Sequence, residues 1–167
     1  MTDLIKKVYD TDTSEHRVFL VVVDDSEEML VALRFACMRA KNTGGRGALF
    51  RDIEPTGFHH WAGISELMQD EARDAAEARL NELAEEVVEL SGLIPAIYVR
   101  AGPLEEELIT LIAEEPTISI LVLAASPSND GPGPLVSHLV GTGTNTIRIP
   151  ITIVPGNLTS EQVNALA

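Results

Sequence analysis

The stretch Arg17 to Asp24, RVFLVVVD, runs apolar and β-branched up to an acid, then passes through Asp25-Ser26 directly into residues with helical spacing. Such a run fits a strand buried on both faces. A strand of this kind, ending in an acid and followed at once by a helix, is the opening unit of a nucleotide-type α/β sheet, where ligands gather beyond the carboxyl ends of the strands. Asp24, at the strand tip, is therefore the first candidate site residue. Ser26 is placed to cap the helix by accepting one of its orphan backbone N–H groups.

The alternation continues along the chain. Glu27 to Lys41 carries apolar residues at helical spacing, and Asn42-Thr43-Gly44-Gly45 supplies a stop. Gly47 to Ile53 reads as a second strand that admits Arg51 and Asp52. From Ile64 to Leu90, Met68, Ala72, Ala76, Leu80, Leu83, Val87 and Leu90 lay one stripe along a long helix. Ile94 to Val99 reads as a third strand, and Pro103 starts a helix to about Ala113. Ile118 to Ala124 is a fourth strand. A turn-rich loop covers Ser126 to Pro134, a short helix Leu135 to Val140, and a fifth strand Ile149 to Val154. Strands alternating with helices predict a doubly wound five-stranded parallel α/β sheet with helices on both faces. The 167 residues suit one domain, with residues 1–16 as a lead and 156–167 as a tail in which Thr159 or Ser160 starts a short helix and Gln162 answers the cap.

Acids outnumber bases by 26 to 12, and the formal charge of -14 argues against a basic patch for nucleic acid or an anionic membrane. A bound anion would have to rely on backbone amides. No apolar run approaches the roughly 20 residues of a membrane span, and MTDLIKKVYD lacks the apolar core of a signal peptide, so a cytosolic protein is expected. The single cysteine, Cys37, shares the apolar register of Met29, Leu33, Ala36 and Ala40 and reads as a buried structural thiol.

The segments VVVDDSEEMLVALRFA, VRAGPLEEELITLIAEE and ISILVLAAS, with Gly131 spaced nine residues before Gly141-Thr142 and closed by IPITIVP, resemble the universal stress protein family over nearly the whole chain. The resemblance implies an adenine-nucleotide alpha-hydrolase-like fold. It also implies an adenine nucleotide such as ATP, with magnesium, as ligand: the acid at the first strand tip meets the adenosine part and a Gly-x2-Gly-x9-Gly-Ser/Thr loop wraps the phosphates. Asp24, Gly131, Gly141 and Thr142 occupy those places. Glycine lets backbone amides approach phosphate oxygens, and a hydroxyl adds a donor. A valine at Gly141 is therefore expected to obstruct the phosphates. The family's first loop glycine falls on Ala124 directly after the fourth strand, or on Ser128 when counted back from Gly131. Pro127, Pro132 and Pro134 remove N–H donors from this loop, Asp25 replaces a frequent glycine, and Gly141 to Pro150 is shorter than the family's last helix.

Other constellations carry less. His59-His60-Trp61 reads as a loop anchored by Trp61 rather than a metal site, since adjacent imidazoles point apart. Asp24-Asp25 resembles the magnesium site of a receiver domain, but the third strand ends in Arg100-Ala101-Gly102 and the fifth in Pro155-Gly156, without the acceptor Asp and the Lys that chemistry needs. Glu105 to Glu107 reads as a solvated first turn, and Ser137-His138 lacks a third partner for nucleophilic catalysis. With no general base, turnover is not expected, and only the family likeness leaves slow ATP hydrolysis open. The function expected is a sensing or signalling module with adenine nucleotide as ligand; the alternative is a nucleotide-free interaction protein. The final strand, as an apolar sheet edge, is expected to pair two copies into a homodimer, which is also how the family commonly assembles.

Overall fold

The structure, a computed structural model, describes residues 17–54 and 62–167. The His59-His60-Trp61 loop lies outside the described residues. Five parallel strands, β1 (Val18–Val22), β2 (Arg46–Ile53), β3 (Ala96–Ala101), β4 (Ile118–Ala125) and β5 (Ile151–Pro155), form one sheet in the order β3-β2-β1-β4-β5. They are joined by α1 (Glu27–Thr43), α2 (Ala62–Ser91), α3 (Leu104–Glu114) and α4 (Pro134–Gly141), and the chain closes on α5 (Ser160–Leu166).

Strand alternation sorts the core into two layers. Phe19, Val21 and Val23 meet α1 and α2 through Met29, Leu33, Ala36, Cys37, Leu80 and Leu83. Leu20 and Val22, with Phe50 and Leu123, meet α3 and α4 through Leu108, Leu111, Val136 and Leu139 on the other face. All five residues of β1 are buried, as a central parallel strand requires. The doubly wound sheet is thus as the apolar periods predict. Cys37 is buried, and desolvation pushes its thiol up to about 12.

Two differences from the sequence reading fall at prolines. β3 starts at Ala96 rather than Ile94, and β5 at Ile151 rather than Ile149. Pro95 and Pro150 have no N–H to give to a ladder, and Ile94 is left 71% exposed. The tail behaves as its capping residues suggest: Gln162 N–H donates to Thr159 Oγ1 (3.2 Å), and Thr159 N–H donates to Gln162 Oε1 (2.9 Å). The helix so started docks on its own chain, against α1, where Arg34 Nε donates to Asn164 Oδ1 and Asn42 Nδ2 donates to the Ala167 carbonyl.

The turn from α1 into β2 needs two glycines for separate reasons. Gly44 ends α1 in the left-handed region (φ 68°), with open space where a side chain would stand. Gly45 has an ordinary φ, but a Cβ there would lie 2.6 Å from the Arg17 carbonyl oxygen, which already accepts from Arg46 N–H. Gly44→Ala should cost about 1 kcal/mol of conformational strain. Gly45→Ala should cost more, about 1 to 3 kcal/mol, because the obstruction is backbone in a ladder and cannot rotate away. Urea midpoints of the two variants check that ranking.

Candidate functional site

Chain direction reverses at the β1–β4 boundary: the connection after β1 runs toward β2 on one face, whereas that after β4 runs toward β5 on the other. A crevice opens where neighbouring strands send their chains apart. Here it is a cavity of about 450 Å³ beyond the carboxyl ends of β1 and β4. Val22, Leu123 and Ala124 form its floor, Pro103 and Leu104 one wall, and Pro132 to Val136 the other. Asp24, Glu28, Glu105 and Glu106 stand among these apolar surfaces.

Asp24 is held from below. Ser26 donates both its N–H (2.9 Å) and its hydroxyl to Asp24 Oδ1, while Ser26 Oγ accepts from Met29 N–H (3.3 Å), which is the predicted cap. Oδ2 accepts no hydrogen bond from the described residues. The carboxylate is thereby fixed by the same serine that starts α1.

Across Asp24 lies a separate groove of about 630 Å³ between the tips of β1 and β2 and the face of α2. There Arg51 reaches both carboxylate oxygens of Asp25, at 3.1 Å each. The hydrogen-bonded guanidinium keeps the Asp25 carboxyl below its ordinary range, and the same bond raises Arg51. Burial raises the neighbouring Asp52.

Of the sequence candidates, Asp24 and Ala124 line the cavity together, and Ser128, Gly131, Gly141 and Thr142 do not. Ser128 and Gly131 sit in the loop between β4 and α4. Ser128 Oγ accepts from Asp130 N–H (3.2 Å), and Gly131 adopts φ 110° with its N–H on the Ser128 carbonyl (3.4 Å). Gly141 ends α4 and Thr142 caps that end, its N–H donating to the His138 carbonyl. A Cβ at Gly141 meets open space at an ordinary φ, so a valine there meets no obstruction in this backbone.

The structure corrects one charge reading. Glu105 and Glu106 line the cavity rather than forming only a solvated turn, and Glu105 Oε2 pairs with His138 Nε2 at 3.1 Å. That contact gives His138 a carboxylate neighbour, but Ser137 and His138 share no side-chain hydrogen bond, as expected of adjacent residues on a helix. Sequence reasoning missed Glu28, Leu104 and Gly133 as cavity residues. The Gly133-Pro134 pair, an N-cap followed by proline at the first helical position, was the available signal.

The family model for universal stress proteins matches residues 15–142. The chain belongs to the universal stress protein family. Solved structures agree on the fold. A UspA from Lactobacillus plantarum superposes with a TM-score of 0.67 at 15% identity, covering 85% of this chain and 99% of that one. A family member from Burkholderia pseudomallei gives 0.63 at 18%, covering 85% and 98%. A universal stress protein in complex with cAMP gives 0.55 at 18%, covering 84% and 98%. None of the curated proteins matches the chain in sequence.

Ser26→Ala removes the cap and frees Asp24, and should lower stability by about 1 kcal/mol. Gly156→Ala should lower it by about 1 to 3 kcal/mol, because a Cβ there would press on Glu28 and lie 2.6 Å from the Ala125 carbonyl oxygen. Both should appear as lower urea midpoints with unchanged slopes.

Proposed function

We propose that this universal stress protein is a cytosolic sensing module that holds a nucleoside-type small molecule between β1 and β4, with Asp24 as polar anchor. The observation that carries the reading is the concave apolar floor at the strand-order reversal, with one fixed carboxylate beside it. Ribose hydroxyls can donate to Asp24, and a base can lie against Ala124, Leu104 and Val136. The relative described in complex with cAMP makes an adenosine-type ligand the first to test. Among the described residues no helix is long and apolar enough to cross a membrane.

A full ATP with magnesium asks more than these residues offer. It would need Ser128, Gly131, Gly141 and Thr142 to aim donors at phosphate, whereas the described N–H groups of Gly131 and Thr142 already bond within the chain. No step of ATP hydrolysis is derived for this site.

Adenosine should raise the thermal midpoint, the rise growing with the logarithm of its concentration once that exceeds Kd. Asp24→Ala should weaken that binding by about 1 to 3 kcal/mol, the range for a hydrogen bond to a charged group, while leaving the unfolding transition cooperative. No shift with adenosine, AMP or cAMP at millimolar concentration rejects the nucleoside reading.

A second reading has its own observation. β5 lies at the sheet edge, with Ile153 39% exposed and Ile151 half-buried. Two copies pairing antiparallel along β5 would cover these side chains, with packing contributing more than a ladder interrupted by Pro150 and Pro155. Light scattering at micromolar concentration should give a dimer, and Ile153→Asp, which would bury an unpaired charge, should give a monomer. A monomeric parent protein would remove this assembly.

A further inference from the structure

We propose that Asp25 is a specificity-determining guard: by holding the Arg51 guanidinium in the groove on the β2 side, it keeps Asp24 Oδ2 open to ribose hydroxyls. This rests on the reading of Asp24 as the anchor of a nucleoside-type ligand and adds what keeps that anchor free.

Asp24 stands on the partition between two spaces, since it lines both the cavity beyond β1 and β4 and the groove that contains Arg51. Ser26 donates twice to Oδ1, which leaves Oδ2 as the acceptor for a ligand. A guanidinium presents its donors in a planar, charged fork that matches a carboxylate better than a neutral hydroxyl does. Arg51 turned onto Asp24 would therefore take the place of ribose.

The structure puts Arg51 elsewhere. Its Nη1 and Nη2 donate to Oδ1 and Oδ2 of Asp25, each at 3.1 Å. That hydrogen bond raises Arg51 above its ordinary value, and the charges of Asp25, Asp52 and Asp24 act in the same direction, so Asp24 lies within the electrostatic reach of the guanidinium. Asp52 follows Arg51 on one strand, where successive side chains turn to opposite faces. Asp24 instead stands across the strand pair. Val22 is in register with Phe50, and Val23 N–H donates to the Phe50 carbonyl (2.8 Å), which ties the two strand tips together. With the main chain so tied, the step from Asp25 to Asp24 is one of side-chain rotation. Arg79, which also lines the groove, pairs with Glu82 on its own helix (3.3 Å). An exposed pair such as Arg51–Asp25 adds little stability, so its consequence is the direction in which the guanidinium points.

The test compares adenosine with 2′,3′-dideoxyadenosine, which lacks both ring hydroxyls of the ribose, by calorimetry on the full chain. The parent should bind adenosine at least about fivefold more tightly, as hydrogen bonds to a charged acceptor give. D25A should abolish that preference, R51M should keep it, and D25A/R51M should regain it, because no guanidinium is then left to close on Asp24. Damage to the turn itself would not be rescued by the second substitution. In a ligand-free crystal structure of D25A, Arg51 should lie within hydrogen-bonding distance of Asp24 Oδ2. A preference that D25A keeps, or that D25A/R51M fails to regain, overturns the guard while ribose binding at Asp24 stands. A D25A structure with Arg51 on Asp52 or Glu54, or in solvent, overturns it as well. A parent that binds both ligands equally, or neither, rejects ribose binding at Asp24, and the inference falls with it.

Discussion

The rest of the molecule depends on β1 being hydrogen-bonded on both edges and covered on both faces. β2 and β4 pair with it in parallel, and each face of the strand feeds one of the two core layers. A strand so enclosed can present a side chain to solvent only beyond its end, at Asp24. Connections leaving β1 and β4 on opposite faces then hold the space beyond that end free of main chain. The cavity is therefore a consequence of strand order, before any lining residue is chosen.

This constraint was readable in the sequence because burial leaves a one-dimensional trace. VFLVV, bounded by an acid and a turn, reads as a strand buried on both faces, and Leu80-Leu83-Val87 reads as the apolar stripe of a long helix, which the core bears out. Ser26 and Thr159 were readable for a different reason, since a cap is a local event whose donor lies three residues away. The cavity rim was not readable in that way. Glu28 and Glu105 belong to different helices, and nothing within either helix distinguishes an acid facing water from one facing a crevice. The loop glycines Gly131 and Gly141 likewise lie outside the cavity lining. Spacing alone places Gly131 and Gly141 in one motif, but the cradle depends on where the N–H groups point, and Pro132 and Pro134 set that direction locally.

Polarity separates the two spaces that flank Asp24. On the β2 side, Arg51 and Asp25 neutralise one another in a bidentate pair that is fixed but exposed, so its contribution to stability is small. On the β4 side, among the described residues, the basic side chain paired with these acids is His138, beside Glu105. The fold is shared with the solved relatives while the charges around its crevice follow this chain's own residues, which is why fold likeness alone does not identify a ligand.

The C-terminal segment ties the sheet edge to the same crevice. Gly156 N–H donates to the Ala125 carbonyl (2.9 Å), and the absence of a side chain at Gly156 lets the turn after β5 lie against Glu28 in the first turn of α1. Glu28 thus belongs both to the cavity rim and to the support of the edge strand's exit. Beyond that turn, α5 is fastened along α1 by Arg34–Asn164 and Asn42–Ala167, with Val163 buried between them. Helix α1 is in this way the common member of the site and the tail. Its position is set at one end by the Ser26 cap beneath Asp24 and at the other by the left-handed Gly44, so movement at either end must be carried by a helix whose inner face, from Met29 to Ala40, is fully packed.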